Sequence, residues 1–154
     1  MDTTCGIYLI NKKNQILLVH PINAPKFMWS IPKGMMDKGE SYLQTALRET
    51  FEETNIKIDM NSPKIKRIME FEMIRYNKTK KQLKAYALIV DDDFSDATLK
   101  CTSTFKNRDG INVPENDLVQ WYPLDYRIRP ETSNIKLHET QEHILTILIN
   151  KLTN

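Results

Sequence analysis

Residues 34–56 read GMMDKGESYLQTALRETFEETNI, and the second half of that stretch decides how the chain is read. From residue 41 to about residue 54, Leu43, Ala46, Leu47, Thr50 and Phe51 recur at steps of three and four, the period of a helix. Ser41 with Gln44 three residues on makes a capping-box start. On a wheel of about 100° per residue these positions cluster within roughly 140°. Glu49, Glu52 and Glu53 share an arc of about 100° on the far side. Three like charges so placed repel one another, and two sit in the last turn, where the helix dipole disfavours anions. Arg48, one turn before Glu52, is the only local compensation. A bound divalent cation would offset the repulsion, because hard cations take oxygen ligands. For three glutamates alone, a solvated acidic face is the competing reading.

Working outward, residues 5–10 and 15–19 are rich in strand formers, with the polar run Asn11-Lys12-Lys13-Asn14 as a hairpin turn between them. Pro21, Pro25 and Pro32 then break the chain into loop. Beyond the helix, residues 64–76 and 82–90 read as strands around a basic turn at 77–81. Residues 91–116 are polar and irregular, and a short strand follows at 118–122. A closing amphipathic helix runs from Ile135 or Lys136 to Leu152, with Leu137, Ile144, Leu145, Leu148 and Leu152 as its apolar side. Strands with two helices imply an α/β fold, a mixed sheet covered on both faces. Nothing repeats and nothing reads as a linker, so residues 1–154 are expected to form one domain.

Composition narrows the function. Of 154 residues, 40% are hydrophobic and 27% charged, the balance of a soluble globular protein. No apolar run approaches the ~18–20 residues of a membrane span. The first five residues lack the basic and apolar regions of a signal peptide, and Cys5 and Cys101 are too few for a disulfide scaffold or a cysteine-rich zinc module. A reducing, cytoplasmic setting is expected. With 22 basic and 20 acidic residues the net charge of +2 is too balanced for a nucleic-acid coat or a membrane binder, so no DNA or membrane partner is expected. Residues 57–84, however, hold nine basic side chains against three acidic ones, a local excess that favours a polyanionic ligand. Within it Lys84 and Tyr86 alternate on one strand face, placed to grip phosphate and stack on a base.

Gly34, five residues, Glu40, seven residues, then Arg48-Glu49-Thr50-Phe51-Glu52-Glu53-Thr54-Asn55-Ile56 resembles the signature of the Nudix hydrolases, G-x5-E-x7-R-E-U-x-E-E-x-G-U with U aliphatic. Thr50 departs at the aliphatic position, and Asn55 replaces the closing glycine. Asparagine is the best non-glycine residue at a left-handed helix terminus, so the loop–helix–loop is expected to survive. The resemblance implies an α/β/α sandwich that hydrolyses a nucleoside diphosphate linked to some moiety X, using Mg²⁺ or, as a substitute, Mn²⁺. It makes Glu49, Glu52 and Glu53 metal ligands, with the Gly34 carbonyl a further one. Arg48 then orients a glutamate, and Glu40 acts from one layer further out.

The family usually adds a carboxylate, as ligand or general base, from a loop outside the motif. Glu115 is the choice here, because it precedes the strand bearing Trp121, a placement similar to that in bacterial RNA pyrophosphohydrolases. Asp117, Glu139 and Glu142 compete for the role. Trp29-Ser30-Ile31-Pro32-Lys33-Gly34 resembles the W-x-x-P-K-G lead-in of diadenosine polyphosphate hydrolases and some RNA 5′-pyrophosphohydrolases. Trp29 and Lys33 are accordingly expected to contact substrate, Lys33 as a point charge beside the phosphates. The expected activity is Mg²⁺-dependent pyrophosphohydrolysis of a dinucleoside polyphosphate or another nucleotide with several phosphates. An RNA 5′-pyrophosphohydrolase or decapping enzyme is the alternative, and a non-catalytic binding module of the same fold is a third reading.

Overall fold

In the computed structural model, which describes residues 2–76 and 80–154, the elements follow one another as β1 (Asp2–Ile10), β2 (Gln15–Pro21), β3 (Lys33–Met35), α1 (Tyr42–Thr54), β4 (Ile65–Glu70), β5 (Ile74–Arg75), β6 (Lys81–Val90), β7 (Thr104–Lys106), β8 (Asn112–Pro114), β9 (Asn116–Pro123) and α2 (Glu139–Thr153). β1 is buried over its last seven residues, as a strand covered on both faces must be. It pairs in parallel with β6 from Asp2 opposite Lys81 to Ile10 opposite Ile89. The remaining main-sheet pairings are antiparallel, and the strand order is β4-β6-β1-β2-β9.

The two faces follow the alternation of side chains along the strands. Cys5, Ile7, Leu9, Leu17 and Leu88 pack on one side with Ala46 of α1. Tyr8, Ile10, Ile16, Leu18, Leu83 and Ala85 pack on the other with Ile144, Leu145 and Leu148 of α2. Burying each such aliphatic side chain contributes about 1.5–3 kcal/mol. The result is the expected α/β/α sandwich with a mixed sheet.

One irregularity of the sheet positions everything that follows. β1 and β2 meet as strands only where Ile10 faces Ile16, and then splay apart. Residues 30–35 fill the gap. Val19 and Ser30 exchange backbone hydrogen bonds of 2.8 and 2.9 Å on the β2 side, and β3 runs along β1 with Lys33 opposite Gly6 and Gly34 opposite Cys5. Gly6 permits this approach, since a Cβ there would lie 2.7 Å from the Pro32 carbonyl oxygen and 2.8 Å from the Lys33 Cβ.

Several expected boundaries move. Residues 33–35 lie in the proline-broken stretch yet form β3, because the gap supplies a partner strand. The strand expected at 64–76 divides into β4 and β5. Glu70 faces Tyr86 and Ile74 faces Leu83, so one residue bulges out. The polar stretch at 91–116 contains a two-stranded ribbon, β7 with β8. The closing helix begins at Glu139, not at 135 or 136. Lys136 is held in extended pairing, donating to Phe27 O at 2.9 Å and accepting from Trp29 N at 2.8 Å. His138 then caps the helix by accepting from Thr140 N at 3.2 Å. Part of the expected basic turn, residues 77–79 with Lys78, lies outside the described residues. Among the described residues no helix is long and apolar enough to cross a membrane.

Candidate active site

The capping box forms at the start of α1. Ser41 Oγ accepts from Gln44 N at 3.1 Å, and Gln44 Oε1 accepts from Ser41 N at 2.8 Å. Its end is closed by Asn55 in the left-handed conformation, at φ 68°. The face it buries overlaps the one its apolar spacing predicts, at Ala46 and Thr50, but is turned toward Glu49 and Glu53. Thr45, Ala46, Glu49, Thr50, Glu53 and Thr54 are buried, Leu43 and Leu47 are half-buried, and Phe51 is 43% exposed. Small side chains let the helix lie close to the sheet, and two carboxylates turn inward beside β3.

Gly34 explains how Glu49 fits. A Cβ at position 34 would fall 2.1–2.4 Å from the Glu49 carboxyl atoms, so only glycine leaves room for it. Glu53 accepts the Lys33 backbone N–H at 3.2 Å. Glu115, arriving from between β8 and β9, completes a trio whose ligand oxygens all lie within 4.8 Å of one another. Glu52 stands outside that trio. Its Oε2 takes Arg48 Nη1 at 3.1 Å and its side chain is 37% exposed.

Arg48 ties the motif's loop to its helix. Its Nε and Nη2 grip the two oxygens of Glu40 at 2.7 and 3.0 Å, Nη2 reaches Met35 O at 2.8 Å, and Nη1 holds Glu49 at 2.9 Å as well as Glu52. Glu40 also accepts from Asp37 N and Thr45 Oγ1. These bonds, Arg48 foremost, hold the Glu40 carboxyl down to about 2. Burial acts the other way on Glu49 and Glu53. It pushes Glu49 up, with Arg48 opposing, and it pushes Glu53 up to about 8, with Lys33 opposing and Glu49 and Glu115 adding to the rise. A set of hard oxygen donors, two of them buried and costly to ionise, fits a divalent cation such as Mg²⁺.

The competing carboxylates are engaged elsewhere. Asp117 sits 2.6 Å from His20 Nδ1. Glu142 takes Tyr126 Oη, Arg127 and the Leu137 N–H, and Glu139 lies in the first turn of α2. His20 is structural, its other ring nitrogen 2.9 Å from Pro25 O.

The expected substrate contacts divide. Lys33 lines the carboxylate cleft, a space of about 330 Å³ that also includes Lys81 and Asn116. Trp29 is buried, edge-on to His20 and Tyr122, and its Nε1 has no hydrogen-bond partner among the described residues. It lines an adjoining cavity of about 420 Å³ with Pro25, Met28, Tyr76 and His138. The two spaces share Thr4, Pro21, Ser30, Lys33 and Lys81. Lys84 and Tyr86 do not join them. The Lys84 ammonium donates to Phe71 O at 2.8 Å, pairs with Glu70 at 3.0 Å and lies over the Tyr86 ring, which is itself buried on the α1 face of the sheet. Two more of the nine basic side chains pair locally, Lys64 with Asp92 and Lys66 with Asp91.

Sequence reasoning missed Gly6, whose place inside a strand was the available signal. It also missed the cavity wall of Tyr76 and His138, which no spacing marks.

The family profile described as NUDIX domain matches residues 2–134. An RNA pyrophosphohydrolase of Pelagibacter ubique is 46% identical over 52 residues, covering 34% of this chain and 33% of that protein. The matched stretch is thus about a third of the relative's length. An uncharacterized 17.7 kDa protein of Enterobacteria phage T4 is 32% identical over 97 residues, covering 62% of this chain and 61% of that one. Among solved structures, a C. elegans Ap4A hydrolase binary complex superposes with a TM-score of 0.63 at 19% identity, covering 99% of this chain and 98% of that one. A bifunctional NMN adenylyltransferase/ADP ribose pyrophosphatase from Francisella tularensis gives 0.69 at 19% identity over 97% of this chain and 41% of that one.

Proposed function

The chain belongs to the Nudix family, and from that premise we propose that it is a Mg²⁺-dependent pyrophosphohydrolase acting on a nucleotide that carries several phosphates. The observation that carries the reading is the trio Glu49, Glu53 and Glu115 in a cleft that shares Lys33 and Lys81 with an aromatic-walled cavity. The trio would hold the cation. Arg48 keeps Glu49 and Glu52 in place while anchored to Glu40. A divalent ion there supplies charge neutralisation for the non-bridging phosphate oxygens. Lys33 adds a positive charge along the phosphate chain, and the base lies against Trp29, Tyr76 and His138. Glu115 serves either as the third holder of the cation or, in its place, as the base that takes the proton of the attacking water. The new P–O bond forms as the anhydride P–O bond breaks, and the leaving phosphate departs with that bond's electron pair.

A dinucleoside polyphosphate is the first reading of the substrate. The second is a 5′-triphosphate RNA end, and the name of the Pelagibacter relative supports it. Product release is to be measured, with Mg²⁺ and with chelator, from diadenosine tetraphosphate, nucleoside triphosphates, nucleotide sugars and a 5′-triphosphate RNA. Metal-dependent turnover of the first or the last is expected, and their relative kcat/KM chooses between the two substrate readings. No turnover of any member would overturn the hydrolase reading in favour of a binding module.

A further inference from the structure

The last carbonyls of a helix lack partners within it and must find donors elsewhere. At the end of α1 donors come from residues 100–103 of a strap that begins at Thr98. Glu52 O accepts Thr102 N at 2.7 Å, Thr102 Oγ1 at 2.9 Å and Ser103 N at 3.2 Å, and Thr54 O accepts Lys100 N at 3.2 Å. In return Asn55 Nδ2 donates to Thr98 O at 2.8 Å. The same strap then holds Glu115, whose N–H donates to Ser103 O at 3.0 Å, while Glu115 O accepts Ile22 N at 2.9 Å. Two hydrogen-bonded steps therefore connect the helix that carries Glu49 and Glu53 to the third carboxylate.

We infer that Thr102 is a positioning residue for Glu115, its hydroxyl and N–H together fixing the strap to the helix end and so setting the separation of the three carboxylates. Among the described strap residues, Thr102 alone grips a helix carbonyl with its side chain. Lys100 and Ser103 use only backbone N–H groups, which almost any residue supplies. The inference rests on the reading of Glu115 as a metal-holding residue.

The test is titration of the full chain with Mn²⁺ alone, followed by calorimetry, for wild type, Thr102→Val, Thr102→Ser, Glu115→Gln and the double variant Thr102→Val/Glu115→Gln. Valine keeps the shape and the backbone N–H. Thr102→Val is expected to weaken Mn²⁺ binding about tenfold, the lower end of the effect for groups that orient metal ligands. Thr102→Ser should restore it. In the Glu115→Gln background the Thr102 change should cost nothing further, since both act through one carboxylate. An equal loss in both backgrounds, or a lower melting point with Mn²⁺ affinity unchanged, would overturn the inference and make Thr102 a purely structural residue. If Glu115→Gln itself bound Mn²⁺ like wild type, the role of Glu115 would fall and take the inference with it. If only Glu115→Gln were weakened, the inference alone would fail.

Discussion

The Glu53 side chain is almost wholly buried, and burial lifts its pKa from the usual 4.5 to about 8. A carboxyl with a raised folded-state value favours folding while protonated, so that contribution is present below 4.5 and is lost as pH rises toward about 8. Glu53→Gln removes the titration. In chelator the variant should melt at or above wild type, with the gap widening across that interval. With Mg²⁺ the order reverses. Metal affinity and turnover of the variant should fall by orders of magnitude, and near-normal turnover would refute the assignment of Glu53 to the metal. At this scale the candidate site was partly legible. Invariant spacing brought Gly34, Arg48 and the glutamates into view, yet not that the Glu49 carboxyl occupies the space a Cβ of residue 34 would need. Lys84 misled for the opposite reason. A lysine on a strand looks available for phosphate until the carbonyl of Phe71, across a bulge, is seen to hold it.

The limits of α1 were legible because caps are local chemistry: Ser41 and Gln44 bond each other, and the Asn55 backbone N–H returns to Phe51 O one turn earlier. Its orientation was not. A helical wheel ranks residues by hydrophobicity, whereas this helix buries threonines and glutamates because β3 offers Glu49 and Glu53 a seat. The start of α2 was misplaced for a similar reason, since the backbone of Lys136 is claimed by Phe27 and Trp29, more than a hundred residues away. Asn55 offers a test at this scale. Asn55→Ala puts a Cβ without compensating polarity at φ 68° and loses the bond to Thr98 O, so it should cost about 1–2 kcal/mol in chemical denaturation. Asn55→Gly relieves the backbone and should cost less. Equal losses would mean that the bond to Thr98, not the backbone conformation, matters at this terminus.

Taken whole, the molecule should report its metal. A cation bound only by the native trio stabilises by about 2.7 kcal/mol at one hundred times Kd. For a chain of this size that is a rise of roughly 5–10 °C in Tm. Melts in chelator and in saturating Mg²⁺ measure it, and an unchanged midpoint would return the glutamates to a merely solvated face. The layering of the fold was readable from alternation and helical period, but the order of its strands was not. The pairing of β1 with β6 joins segments some eighty residues apart, and no local pattern announces it. That pairing also sets a timetable for synthesis. β1 leaves the ribosome before β6 with two apolar faces, and until residues 81–90 emerge its strand pairing is limited to Ile16 and the three residues of β3, although α1 can already cover one face. For that interval the nascent chain carries an open strand edge, a template on which another chain can pair.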